Sequence, residues 1–431
     1  MVVAVRSGRG GLWRHPDFLK LWTGQTISLF GSRVTGIALP FAAILLLGAS
    51  PAQIALLGAA RLAAGLIAGP FAGVWVDRLP RRPLLIAADL GRALLLGSIP
   101  LAAALGLLRI EQLSLVTLLT GMLGAVFDVA YRSYLPSLVR RDELVEGNSK
   151  LEASGAVAEV AGFGLGGFLV QALTAPLAIL IDALSFLVSA VSLLLIRTKE
   201  SPPRAAPEAA DDGAVIEPGT GPGIWSEIGE GLRLVLRDPV LRAVVGAAGT
   251  LELFRNMIGV VFLLYLTNQL GLPPAVQGAI FAVGGISSLG GALVAERVTR
   301  RFGLGRALVG GLLVSGIATL FLPLGGGPLA LAVVLLVAQQ ILGDGAATAY
   351  AINQTSLLQA STPDRLLGRA NASVRFVEVA ATLLSLALGA FLGERFGLRP
   401  TLWVAALGVL LAPLWLLRSP VSGLQRLPEQ A

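Results

Sequence analysis

Gly73-Val74-Trp75-Val76-Asp77-Arg78-Leu79-Pro80-Arg81-Arg82 sets four charges between two long apolar runs. A shortened copy, Glu296-Arg297-Val298-Thr299-Arg300-Arg301, also lies between apolar runs, with Ala292 where Gly73 stands in the first. Each charge recurs 219 residues after its counterpart. The same offset carries Leu123-Gly124 to Leu342-Gly343, Ala130-Tyr131 to Ala349-Tyr350, and Glu159-Val160-Ala161 to Glu378-Val379-Ala380. Separate blocks in one register mark an internal duplication, two homologous halves that each carry a charged turn between apolar helices.

The composition says where such halves fold. Of 431 residues, 55% are hydrophobic and 14% charged, whereas soluble domains carry about 25% charged residues. Crossing roughly 30 Å of hydrocarbon takes about 20 apolar residues in a helix. Twelve runs qualify, near 18–47, 52–76, 84–107, 113–138, 151–173, 176–196, 240–268, 275–295, 305–323, 328–355, 372–392 and 400–417. The first lacks the short apolar core and cleavage site of a signal peptide and reads as a retained helix. The expected fold is an all-α membrane protein of twelve transmembrane helices in two pseudo-symmetric six-helix bundles. Residues 1–197 form the first bundle and 239–431 the second with a short tail. Residues 198–238 between them form a cytoplasmic linker, rich in Pro, Ala, Gly, Asp and Glu to about 223. From Trp225 its apolar residues take helical spacing, as in a short amphipathic helix on the membrane surface.

The net charge of +7 does not point to nucleic acid. Of 33 Lys and Arg, 24 fall in the two termini, in the five alternate loops between them or at the run ends that border these (Lys20, Arg242 and Arg306), and three (Arg109, Arg395, Arg399) in the other six loops. The remaining six lie inside the apolar runs. That asymmetry follows the positive-inside rule and places both termini in the cytoplasm. There is no cysteine, and the one histidine, His15, precedes the first helix. Disulfides, thiolate metal sites and histidine proton relays are therefore excluded. No Walker motif, nucleophile constellation or carboxylate dyad occurs, so neither an enzyme nor a cofactor is expected.

The pattern G-x-x-x-D-R-x-x-R-R at Gly73–Arg82 resembles the loop between helices two and three of the major facilitator superfamily. Three further stretches resemble its enterobactin-exporter and macrolide-efflux-like branch: the amphipathic linker segment, the loop from Leu135 to Asn148, and its counterpart from Asp364 to Asn371. The resemblance implies the major facilitator fold and a monomeric, multi-pass transporter of the inner membrane. It also implies a cytoplasmic gate, in which the loop aspartate caps helix eleven and the arginines pair with an acid on helix four. Here that gives Gly73, Asp77, Arg78, Arg81 and Arg82 with Asp128, and Arg375 as a further partner. The second copy gives Glu296, Arg297, Arg300 and Arg301. The alternative is a basic loop that sets topology and nothing more.

Charges inside the membrane are costly, about 2.5–3.5 kcal/mol each on insertion scales, and functional by default. Glu159 and Glu378 are symmetry mates. Arg375 lies one turn before Glu378 and can neutralise it, while Glu159 has no basic residue in reach along its own helix. Glu159 is thus the first candidate for proton coupling, with Glu252 and Glu378 beside it, unless an arginine from another helix pairs with it permanently. Arg33 and Glu252 are likewise related by the repeat. The resemblance places helices one, four, seven and ten around a central cavity, where Arg33, Arg255, Asn256, Gln339, Gln340 and Asp344 would line the substrate site. The alternative is a static pair that merely neutralises two inserted charges. Asp182, and Asp89 with Arg92, fall on outer helices, and the i,i+3 pair Asp89 and Arg92, near the cytoplasmic end, reads as local structure.

Exporters of the superfamily often carry G-P-x-x-G-G on helix five, similar to Gly162-Phe163-Gly164-Leu165-Gly166-Gly167, where phenylalanine replaces the proline. The expected function is secondary active transport, proton-coupled export of small hydrophobic or amphipathic molecules such as drugs, macrolide-like compounds or siderophores. The partners are substrate, protons and the lipid bilayer. A lipid or lysolipid flippase, or an importer, is the alternative on the same fold. A non-transporting receptor or scaffold is the remote one.

Overall fold

A backbone in hydrocarbon must satisfy its own N–H and C=O groups, which leaves the helix as the one local solution for runs this apolar. The computed structural model describes residues 11–198, 229, 233, 235–362 and 367–427. Among them, twelve helices are long and apolar enough to cross a membrane. The first half contains α1 (Pro16–Leu47), α2 (Pro51–Arg78), α3 (Arg81–Ala104), α4 (Ile110–Leu138), α5 (Leu144–Leu173) and α6 (Ala175–Leu194). The second contains α7 (Pro239–Gln269), α8 (Pro274–Phe302), α9 (Leu304–Leu324), α10 (Leu329–Ala360), α11 (Gly368–Phe396) and α12 (Leu398–Leu417). Residues 199–228 of the expected linker lie outside the described residues, as do 363–366. Of the amphipathic segment, Gly229, Arg233 and 235–237 are helical.

The charged motif is not a loop. Asp77 and Arg78 close α2, Arg81 and Arg82 open α3, and only Leu79-Pro80 lies between. Proline lacks the N–H that a continuing helix needs, so the break falls there. In the second half the copy lies wholly within the last two turns of α8, which runs on to Phe302.

Large apolar side chains such as Leu94, Leu101, Leu293 and Phe391 point outward, as a lipid-facing surface requires. Inside the first bundle small residues set the spacing. Gly24 and Gly31 of α1 lie directly on α6, where an added Cβ would meet Ser192 and Ser189 at the first and Ser185 and Asp182 at the second. Such contacts let membrane helices approach closely. Single polar residues then tie the ends. His15 caps α1, its Nδ1 accepting from Phe18 N at 3.1 Å. Asp17, in the first turn of α1, accepts from Arg197 N (3.1 Å), Thr198 N (2.9 Å) and Thr198 Oγ1 (2.7 Å), and pairs with Lys20 Nζ at 2.7 Å. It thereby joins the start of the bundle to the chain leaving α6.

The chain divides into two compact units that exchange a helix turn. Pro273–Ala279, at the start of α8, belongs to the first unit, and Ser50–Leu56, at the start of α2, to the second. Each exchanged turn finds an acceptor for the orphan N–H groups of its helix N-terminus. In the first unit Gln171 Oε1 accepts from Ala275 N at 3.0 Å. In the second, Glu394 Oε1 accepts from Ser50 Oγ at 2.9 Å and Ala52 N at 3.3 Å. The duplicated sequence carries no sign of the exchange.

Hydrogen bonds to a charged acceptor each contribute about 1.5–3 kcal/mol, and Asp17 makes several. We expect Asp17→Ala to lower the thermal unfolding midpoint of the detergent-purified protein clearly, and Lys20→Ala to change it little. Equal effects of the two would contradict the anchoring role of the backbone bonds.

Candidate functional site

The glycine run of α5 explains how a charge pair forms inside the first bundle. Gly162 faces α1 so closely that an added Cβ would overlap the stem of Arg33, and a Cβ added at Gly166 would stand 3.3 Å from the Val34 backbone. Glu159 lies one turn before Gly162, so the same approach delivers it to the arginine. Arg33 Nη2 and Glu159 Oε2 are 2.6 Å apart. The partner that Glu159 lacks along its own helix is thus supplied by α1. Both side chains keep substantial accessibility, 37% and 44%.

The rest of the first bundle's charged set separates into two places. At the α2–α3 turn, Arg82 donates to the last carbonyls of α6, Leu193 O at 2.9 Å and Leu194 O at 2.7 Å. A cation there complements the negative end of the helix dipole. Gly73 has open space around its Cβ position, and Asp77 and Arg78 are exposed. Asp128 faces different cations from those expected, Arg92 of α3 and Arg132 of its own helix.

Arg92 is the centre of the second place, which the sequence reading set aside. Its guanidinium lies between the rings of Phe127 and Phe186, 4.3 and 4.2 Å from their centroids. It pairs with Asp89 one turn earlier and lies within electrostatic reach of Asp128 and Asp182. Asp89 and Asp182 are fully buried. The i,i+3 spacing of Asp89 and Arg92 was legible, but the aromatic clamp and Asp182 come from α4 and α6.

In the second unit Glu378 pairs with Arg375 at 3.4 Å, as its spacing suggests. Glu252 Oε1 accepts from Asn256 Nδ2 at 2.7 Å, and the same amide reaches Thr382 Oγ1 at 3.3 Å. Arg255 lies within electrostatic reach of Asp344. Gln340 through Asp344 form a π-helical turn inside α10. Such a turn frees a carbonyl and re-aims side chains, often at functional sites. Here Ser287 Oγ donates to Ile341 O at 2.6 Å, and Gln340 Nε2 to Ile280 O at 3.3 Å. Gln339 and Gln340 are both buried. The second charged copy is exposed, with Glu296 and Arg300 paired at 2.7 Å, Arg297 donating to Leu293 O at 3.2 Å and Arg301 over the Phe302 ring. Among the described residues no group of three His, Cys, Asp or Glu side chains could hold a metal ion.

The glycine contact can be tested in this cysteine-free chain. With Arg33→Cys and Glu159→Cys introduced together, a short bifunctional thiol reagent should cross-link α1 to α5 within the single polypeptide, read as protection from cleavage at an engineered site between them. Adding Gly162→Leu should abolish the cross-link. A cross-link that survives Gly162→Leu would show that the glycine does not set the approach.

The model of the Major Facilitator Superfamily matches the chain twice, over residues 21–254 and 244–431. Multidrug efflux pump Tap of Mycolicibacterium fortuitum is 28% identical over 410 residues, 92% of this chain and 94% of the relative. The uncharacterized MFS-type transporter YfiS of Bacillus subtilis (strain 168) is 26% identical over 388 residues, 88% and 87% of the two chains. Among solved structures, a bacterial homologue of the iron transporter ferroportin in its inward-facing state superposes with a TM-score of 0.72 at 19% identity, covering 93% of this chain and 98% of the other. The nucleoside transporter NupG superposes with a TM-score of 0.67 at 15% identity, covering 93% and 98%. At such identities the structural likenesses carry the fold alone. Two matched halves, twelve spanning helices and the duplicated charged motif agree: the chain is a multi-pass membrane protein and belongs to the Major Facilitator Superfamily.

Proposed function

We propose that this transporter is a proton-driven exporter of small hydrophobic or amphipathic molecules, working by alternating access. The observation that carries the proposal is the Arg33–Glu159 pair, held by glycines within membrane-spanning helices yet partly accessible. A proton delivered to Glu159 removes its charge and releases the guanidinium. An isolated cation is then left in a low-dielectric setting, and the conformational equilibrium shifts toward whichever state solvates it. Glu378 with Arg375, and Glu252 with Asn256, offer secondary carboxylates of the same kind. Gln339, Gln340, Arg255 and Asp344 would orient cargo.

The outward direction and the cargo class rest on the 28% identical relative, a multidrug efflux pump, and on the low charged content of the chain, 14%. The duplicated charged motif is read as a pair of cytoplasmic gates: Asp77, Arg78, Arg81 and Arg82 in the first half, and Glu296, Arg297, Arg300 and Arg301 in the second, whereas Asp128, facing Arg92 and Arg132, belongs with the Arg92 cluster. The excess of Lys and Arg in alternate loops supports a cytoplasmic-membrane location with both termini inside.

The test is transport in inside-out vesicles, using a fluorescent hydrophobic cation and a neutral macrolide, with and without a proton gradient. Gradient-dependent movement of either compound is expected, and its loss in Glu159→Gln with substrate binding retained. Unchanged gradient-driven transport in the variant removes Glu159 from coupling. No movement of either compound turns the assignment toward a lipid flippase or an importer.

A further inference from the structure

Two carboxylates buried in the first bundle share one guanidinium. Asp89 of α3 and Asp182 of α6 are 0% and 1% exposed, and Arg92 is the cation facing both. Arg92 is committed to Asp89 by a direct ion pair and lies over the rings of Phe127 and Phe186. Asp128 of α4 meets Arg92 from another side and has Arg132 as a second cation. Matching Asp89 with Arg92, and Asp128 with Arg132, leaves Asp182 without a counter-charge. The other elements packed on it bring none: α1 presents Gly31 and Thr35, and α6 itself presents Ser185. Arg33, also on α1, is engaged by Glu159.

A buried carboxylate with no counter-charge is unstable as an anion, and it resolves the conflict by binding a proton. The partners of the Asp182 carboxylate are hydroxyls, Thr35 of α1 and Ser185 of α6, and neither carries a counter-charge. Ser185 Oγ lies 3.1 Å from Asp182 Oδ1 and 2.7 Å from the Asp182 carbonyl. It can donate to either or accept a proton shared by the acid.

We propose that Asp182 holds a proton in this arrangement and is a second group, beside Glu159, through which the first bundle takes up and releases protons during transport. The inference rests on the proton-driven reading above and adds a proton site on α6 to the Arg33–Glu159 pair. Gly31 is what makes the site switchable. Because it has no side chain, α1 lies directly on the carboxylate, an added Cβ standing 2.5 Å from Oδ1. A small separation of α1 from α6 admits water to Asp182, and closure expels it. Exposure therefore favours release of the proton and burial favours its uptake, without any cation having to move.

Two readouts test this. Infrared difference spectroscopy of the full-length protein in lipid at neutral pH should show the carbonyl stretch of a protonated carboxylic acid, lost in Asp182→Asn. In proteoliposomes, the same variant should lose gradient-driven ethidium transport while keeping ethidium counterflow, and Asp182→Glu should restore part of the driven flux. A stretch that persists in Asp182→Asn overturns the proposal. So does a stretch that is lost while driven transport continues. Should the Asn variant not insert, Ser185→Ala serves, because removing the hydroxyl should shift the stretch and an unmoved band counts against the site. Wild type that shows the band but no gradient-driven flux of any compound disproves the proton-driven reading, and the carrier role of Asp182 with it.

Discussion

A charge inside a bilayer has to be answered locally, and that constraint organises this transporter. With water absent and lipid unable to compensate, each intramembrane carboxylate is held against a cation, an amide or a proton. Glu159 has Arg33, Glu378 has Arg375, Asp89 has Arg92, and Glu252 has Asn256. Three of these partners come from the same helix, within one turn. Arg33 and Glu159 meet across two helices, so their pairing depends on how closely α1 and α5 approach, and glycine sets that approach. Gly162 and Gly166 on α5, and Gly24 and Gly31 on α1, remove the side chains that would keep α1 from its neighbours. The packing residues and the charged residues are therefore one design, in which separating two helices also breaks an electrostatic match.

Both charge centres of the first bundle involve one helix. α1 carries Arg33 toward α5 and lies over Asp182 on α6. In the proposed mechanism a proton arriving at either carboxylate changes what α1 prefers to contact. The duplicated second half is built differently in the corresponding places. Glu378 is neutralised by an arginine on its own helix, and α10 contains a π-helical turn that spends its freed carbonyl on Ser287. The halves share a fold and a charged motif without sharing a charge mechanism.

Much of the fold was legible because it rests on periodic, local signals. Twelve apolar runs and a constant offset of 219 residues specified the helices and the duplication. The alternation of basic loops is the support for the proposed orientation. What the sequence withheld were facts created by helix crossing. Nothing on α5 announces that the cation for Glu159 comes from α1. The spacing of Asp89 and Arg92 suggested a local pair, yet the two phenylalanines and Asp182 that turn it into a cluster lie on α4 and α6. The charged motif looked like a loop because charges usually mark loops, whereas Asp77 and Arg78 still belong to α2 and the second copy to α8. The π turn at Gln340–Asp344 and the exchanged first turns of α2 and α8 have no compositional signature, since each depends on backbone partners supplied by another element.

The most direct test of the account is a charge reversal at the pair on which it depends. Driven efflux would be compared in wild type, Arg33→Glu, Glu159→Arg and the double variant, each reconstituted at equal density. The account predicts that either single reversal abolishes gradient-driven flux by placing two like charges together, and that the double reversal restores a measurable part of it. Single variants that transport like wild type, or a double variant no better than the singles, would contradict it.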